Sequence, residues 1–218
     1  MSRALHLATY LLAFDTEART LQDRARAGFL VRAAALAELA RRGAAAEDDG
    51  GRVRVVRADP TGDGVLDALV ADLGGEQRTW KSWIKRGRED TLEAVEERLA
   101  VLGVMTVTDR DPYGPVAPRR AAAMEDPREA LDLQVRVAGL VRGTAPVADV
   151  PYEEAVLAAL AAHGHLRLVI SRHDRREHAD RIAAFTDRVA VEAAPGLARA
   201  VSGLNLTMVA AQGGMGGG

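Results

Sequence analysis

The sequence contains no cysteine. Disulfides, thiolate zinc sites and cysteine nucleophiles are therefore excluded, and the chain suits a reducing cytoplasm. Aromatic residues make up 4% of its 218 residues, so the core has to be built from aliphatic side chains and alanine. Net charge is small: 29 Lys and Arg against 31 Asp and Glu leave −2 at pH 7. Such a chain has no global field to draw in nucleic acid or an anionic membrane, so any anion site has to be a local cluster. Long apolar runs are missing too. The patch from Ala8 to Phe14 is too short to cross a bilayer and no cleavage signal follows it; it reads as a buried strand or a first helical turn. No Pro/Gly/Ser-rich linker splits the middle, so residues 1–212 read as one domain and 213–218 as a flexible Gly-rich tail.

What is present is helix. Hydrophobic residues make up 48% of the chain and alanine is abundant, which favours helices that approach one another closely. The apolar spacing predicts helices over Asp23–Arg42, Gly64–Leu73, Thr91–Leu102, Ala121–Val141, the stretch YEEAVLAALAAHG ending at Gly164, and Asp174–Ala194, followed by an apolar element from Pro195. Gly43, Gly103 and Gly164 lie about 60 residues apart, each closing a helix ahead of a β-prone stretch. GRVRVVRA after Gly51 alternates as a strand does, and GVMTVTDRDPYGPVAPRR reads as a strand and turn, a candidate hairpin that could touch membrane or another subunit. The fold class expected is mainly α: a single-domain helical bundle with surrounding amphipathic helices and small β-hairpins.

Candidate chemistry is sparse. His163, His165, His173 and His178 cluster in sequence, yet three or four converging ligands are needed for zinc and no such pattern supports them, so no metal site is expected. RADPTGDG before a helix lacks the lysine of a phosphate-binding loop; it reads as a turn in which Gly62 and Gly64 supply positive φ and Asp63 caps the helix. No nucleophile motif or dinucleotide fingerprint is present, so neither catalysis nor a cofactor is expected. Trp80 and Trp83, in TWKSWIKRGR, would share a helix face among Lys81, Lys85, Arg86 and Arg88. That pattern fits an interfacial membrane segment, and equally a tryptophan capping the core beside solvated charges. Arg32, inside FLVRAAALAELARRG, is either a surface arginine or an anion ligand.

In combination, these segments resemble the Golgi phosphoprotein 3 family. LVRAAALAELARRG is similar to the family's Arg-containing helix ending Glu-Leu-Ala-x-Arg-Gly, here Glu38, Leu39, Ala40, Arg42 and Gly43. DPTGDGVLDALVADL resembles its Pro-Thr-Gly-Asp turn and helix. Trp83–Ile84 and EERLAVLGVMT resemble its Trp-Ile and Arg-Leu segments, all in the same order over roughly positions 5 to 110.

The resemblance implies a helical domain without catalysis. In eukaryotic members it implies a peripheral membrane protein that binds phosphatidylinositol 4-phosphate and links the membrane to protein partners. The implied anion pocket is made of a tryptophan and several arginines. Arg32 aligns with one arginine, but Asp23 stands at the tryptophan position. The remaining arginines fall on Glu93 and Glu96 in one register, or on Glu89 and Leu92 in another. Arg86 and Arg88 could substitute through a shift of helix register. The expected partner is an anionic headgroup or membrane surface met through Arg32, Trp83, Arg86 and Arg88, with localisation in the cytoplasm or on the inner face of the membrane and no nucleic acid partner. Two alternatives stay open: a protein-interaction scaffold that has lost the lipid pocket, and a winged-helix regulator, which the helix–glycine–strand units and Arg41, Arg42, Arg52, Arg54 and Arg57 would suit.

Overall fold

The computed structural model of the protein describes residues 3–109, 120–124 and 126–213. The elements in chain order are α1 (Leu5–Ala13), β1 (Phe14–Asp15), β2 (Thr20–Leu21), α2 (Arg24–Arg41), β3 (Ala45–Glu47), β4 (Val53–Val55), α3 (Gly64–Gly75), α4 (Trp80–Lys85), α5 (Arg88–Val101), β5 (Met105–Asp109), β6 (Arg120–Met124), α6 (Arg128–Arg142), α7 (Tyr152–His163), α8 (Arg172–Glu177), α9 (Ala179–Glu192), α10 (Pro195–Ser202) and α11 (Leu204–Gly213). The fold is mainly α, as the sequence predicts. Its strands form three two-stranded antiparallel hairpins among the described residues, with Phe14 opposite Leu21, Ala45 opposite Val55 and Met105 opposite Met124.

Helix α2 is the axis. Every residue from Ala27 to Ala37 is buried, and the helix packs on α1, α3, α4, α5 and α7. A helix that is apolar all round belongs in the middle of a bundle, and Ala33, Ala34, Ala35 and Ala37 let its neighbours come close. Leu30, Leu36 and Leu39 are fully enclosed; truncating one leucine in such a site to alanine costs about 2–5 kcal/mol. Asp23 starts the helix by accepting the Arg26 N–H at 2.8 Å.

A buried histidine fastens α1, α2 and α3 together. His6 Nδ1 is 3.1 Å from Glu38 Oε2, and its Nε2 forms an ion pair with Asp63 Oδ2 at 3.4 Å. Glu38 also accepts the Leu5 N–H, and Asp63 caps α3 by accepting the N–H groups of Val65 and Leu66. Burial alone would lower the His6 pKa, but the contacts with Asp63 and Glu38 outweigh it and the net shift is upward. The His6 contact in turn holds Asp63 down at about 2.

Several helical boundaries depart from the sequence pattern. Ala8–Phe14 is mostly helix α1, with only Phe14 entering a strand. The long helix expected over Ala121–Val141 is instead β6 followed by α6, because RAAAM pairs with Met105–Asp109 and tertiary pairing overrides alanine's helical preference. The helix expected over Asp174–Ala194 breaks at His178 into α8 and α9. Gly62 takes φ 80°, whereas Gly64 opens α3 as an ordinary helical residue. The hairpin turn at 110–119 and the tail from 214 to 218 lie outside the described residues.

The three glycine-ended helices close by one hydrogen-bond pattern. After α2, Ala44 N donates to Leu39 O and Gly43 N to Ala40 O; after α5, Val104 N donates to Leu99 O and Gly103 N to Ala100 O; after α7, Leu166 N donates to Ala161 O and His165 N to Ala162 O. These are Schellman-type caps, whose pivot adopts the left-handed conformation. Gly43 and Gly103 each sit at φ 68°, but in the third cap the pivot is His165 at φ 54°, and Gly164 is right-handed. Gly164 is needed for room instead: an added Cβ would lie 2.4 Å from Leu30 Cδ2 and 2.6 Å from Leu160 O. No strand follows this cap; the chain turns directly into α8.

Candidate anion site around Arg32

Arg32 projects from the centre of α2 and is 2% exposed. Its Nη1 donates to Thr91 Oγ1 at 2.8 Å, its Nε to the Trp83 carbonyl at 3.3 Å and its Nη2 to Asp72 Oδ2 at 3.3 Å. The Thr91 hydroxyl in turn donates a hydrogen bond to the Gly87 carbonyl at 2.8 Å. Gly87, at φ 63°, lies against the guanidinium: an added Cβ would be 3.3 Å from its carbon and both terminal nitrogens. So α3, α4, α5 and the α4–α5 turn all contribute to one cradle. Burial lowers the Arg32 pKa, Asp72 and Asp90 oppose that, and Arg86 reinforces it. The guanidinium nonetheless remains a cation, since arginine is not deprotonated in proteins.

Of the carboxylates the sequence placed near Arg32, Asp23, Glu89 and Glu96 have other partners. Asp23 caps α2 and holds Arg26. Glu89 pairs with Arg88. Glu96 is fully buried, paired with both terminal nitrogens of Arg24, and accepts the Tyr10 hydroxyl at 3.0 Å. The partner is Asp72 on α3, inside the DPTGDGVLDALVADL segment but not singled out there as a site residue; its side chain is 55% exposed.

Arg86 lies at the outer edge, 55% exposed, with Nη2 3.4 Å from Glu76 Oε1. Arg88 lies over the Phe29 ring at 4.7 Å, donates to the Lys85 carbonyl and pairs with Glu89 at 3.1 Å. The interfacial reading of the tryptophans fails. Trp80 and Trp83 are each 1% exposed, and Trp83 reaches Arg32 only through its backbone carbonyl. On a six-residue helix wedged against α2 and α10, both indoles turn inward and only the lysines and Arg86 face water. Among the described residues no group of three or more His, Asp or Glu could hold a metal ion, and His163 is hydrogen-bonded to Thr186 at 3.0 Å.

The fold is a helical domain with a buried arginine cradled between helices, and no helix among the described residues is long and apolar enough to cross a membrane. The chain belongs to the Golgi phosphoprotein 3 (GPP34) family, whose model matches residues 5–203. That match reaches well past the segments that carried the resemblance, through α6 to α10, and displaces the winged-helix alternative. No curated protein matches the chain.

Proposed function

We propose that this protein is a non-catalytic, peripheral binder of anionic phospholipid headgroups on the cytoplasmic face of a membrane, with phosphatidylinositol 4-phosphate as the first headgroup to test. Family membership over residues 5–203 is the observation that carries this reading. Around Arg32 the chemistry is compatible with it. Arg86 and Arg88 are held by Glu76 and Glu89 through solvent-facing ion pairs, and such pairs are worth only about 0–1 kcal/mol. A phosphate monoester would exchange for them readily. Asp72 closes Arg32 from the solvent side through a half-exposed carboxylate, so a headgroup phosphate would take the place of Asp72, giving Arg32 a doubly charged acceptor.

The test is flotation of the protein with phosphatidylcholine vesicles, with and without phosphatidylinositol 4-phosphate. Wild-type protein is expected to float with the phosphoinositide vesicles, and an Arg86→Ala/Arg88→Ala variant to stay behind. Failure of the folded wild type to float on any anionic vesicle would overturn the reading.

The burial of Glu96 against Arg24 and Tyr10 favours a second reading, an interaction scaffold without a lipid pocket. Retention of a specific protein partner by a chain that ignores every anionic vesicle would support it.

A further inference from the structure

Arg26 and Arg32 belong to the same helix but serve different neighbourhoods. Arg32 contacts α3, α4 and α5, whereas Arg26 donates to the Gly164 carbonyl at 2.7 Å, in the loop between α7 and α8. There, an open cavity of about 340 Å³ lies between the start of α2, that loop and α11. Its volume falls at the lower end of ligand pockets, about 300–1,000 Å³.

The polar wall consists of Arg26, His165, Arg167, Asn205, Gln22 and Asp23. Asp23 is the one carboxylate on it, and that group is already engaged by the Arg26 N–H at 2.8 Å and by Arg26 Nε at 3.2 Å. Gln22 is occupied by Asp15. Arg167 is exposed and has no ion-pair partner among the described residues. Arg175 lines a neighbouring cavity that shares His165, and it donates to the Ile170 carbonyl; the adjacent carboxylate, Asp174, is taken by Arg142 through two hydrogen bonds of 2.9 Å and by the Ser171 N–H. Burial lowers the His165 pKa, and Arg175, Arg26 and Arg167 lower it further. Arg175 in turn is lowered by burial and by Arg167, Arg172 and Arg26, with only Asp174 opposing. Of the charged groups on this concave surface, Arg26 shares an ion pair with Asp23 and Arg167 is exposed with no ion-pair partner among the described residues, so the wall is net positive in a chain whose overall net charge is −2.

The backbone adds an independent observation. In two of the three equivalent helix caps the left-handed pivot is glycine; only at the cavity is it a histidine, whose ring lines the wall. Non-glycine residues held in that conformation concentrate at ligand sites.

We propose that this cavity binds a phosphate group, carried by a lipid headgroup or by a soluble phosphorylated molecule, with Arg26 and Arg167 as charge-assisted donors and the neutral His165 imidazole as a third, uncharged donor. It uses none of Arg32, Arg86 and Arg88, and does not rest on the function proposed above.

Two arms test it with the full-length chain at constant pH. In the first, the His165 ring resonance is followed by NMR as sodium phosphate is added, with sodium chloride at matched ionic strength as the control. A saturable shift in phosphate alone is expected. Arg167→Ala, an exposed change that leaves the fold intact, should weaken it roughly tenfold, the scale of a lost charge-assisted contact. In the second, flotation compares phosphatidylcholine vesicles with and without phosphatidic acid. Phosphate binding without flotation assigns the site to soluble ligands. Flotation lost in Arg167→Ala and retained in Arg86→Ala/Arg88→Ala assigns it to a headgroup. A His165 shift that chloride reproduces, or that Arg167→Ala leaves unchanged, overturns the proposal, as does the absence of both signals.

Discussion

Asp72 is the only carboxylate that hydrogen-bonds Arg32 among the described residues, and the two differ sharply in exposure: the acid is half in water, the guanidinium sealed. The arrangement makes Asp72 the removable part. Asp72→Asn keeps the size and removes the charge, so it should cost about 1 kcal/mol in urea unfolding, the scale for a partly solvated charge-assisted contact. If headgroups displace Asp72, the same variant should float better than wild type on phosphoinositide vesicles. Weaker flotation at unchanged stability would show that Asp72 does not guard the site.

Gly87 sets how closely the α4–α5 turn approaches Arg32. Gly87→Ala forces a side chain into a left-handed residue that lies 3.3 Å from the guanidinium. A loss of about 1–2 kcal/mol from the backbone alone is expected in denaturant titrations. A neutral result would mean that the turn relaxes freely.

The His6 clamp should give stability two pH limits. The folded-state pKa of His6 lies above its ordinary 6.5, so the folded chain binds that proton more tightly than the unfolded chain. Its contribution is complete below about pH 6.5 and is lost as pH rises through the higher folded value. Asp63 behaves oppositely: held at about 2 against an ordinary 3.8, it stabilises above pH 3.8 and loses that contribution as pH falls toward 2. Urea midpoints measured across pH should decline on both sides, and His6→Gln should flatten the alkaline side. An unchanged alkaline decline in that variant would assign it to other groups.

His165 holds a position its two counterparts give to glycine. His165→Gly should therefore raise stability by about 1 kcal/mol, the relief of a left-handed non-glycine residue, while weakening phosphate binding at the cavity. A variant that binds phosphate as wild type does would leave the histidine without a role there.

The sequence made the larger helices legible where a cap and a periodic stripe coincide. The helix α2 within Asp23–Arg42, the Asp63 cap of α3 and the end of α7 at Gly164 all lie where expected. It misled where alanine outweighed pairing, as in β6, because RAAAM carries a helical propensity that only its partner strand overrides. Arg32 stood out for a physical reason, a guanidinium within an unbroken buried helix. Asp72 did not, since an acid on an exposed helix face looks the same with or without a buried partner. The cavity at His165 was hidden for a related reason: its arginines come from α2 and from the α7–α8 loop, separated by more than a hundred residues. Trp80 and Trp83 lie among lysines in the chain yet face inward, because six residues of helix present two distinct sides.

Glu38 and Asp63 lie in two of the segments that carry the family resemblance, and both are tied to the buried His6, Glu38 also to Arg42. What those segments advertise is therefore a joint between three helices, not a recipe for a ligand. Because this joint lies inside the core, substitutions of the exposed arginines around Arg86 leave the packing of α1, α2 and α3 untouched.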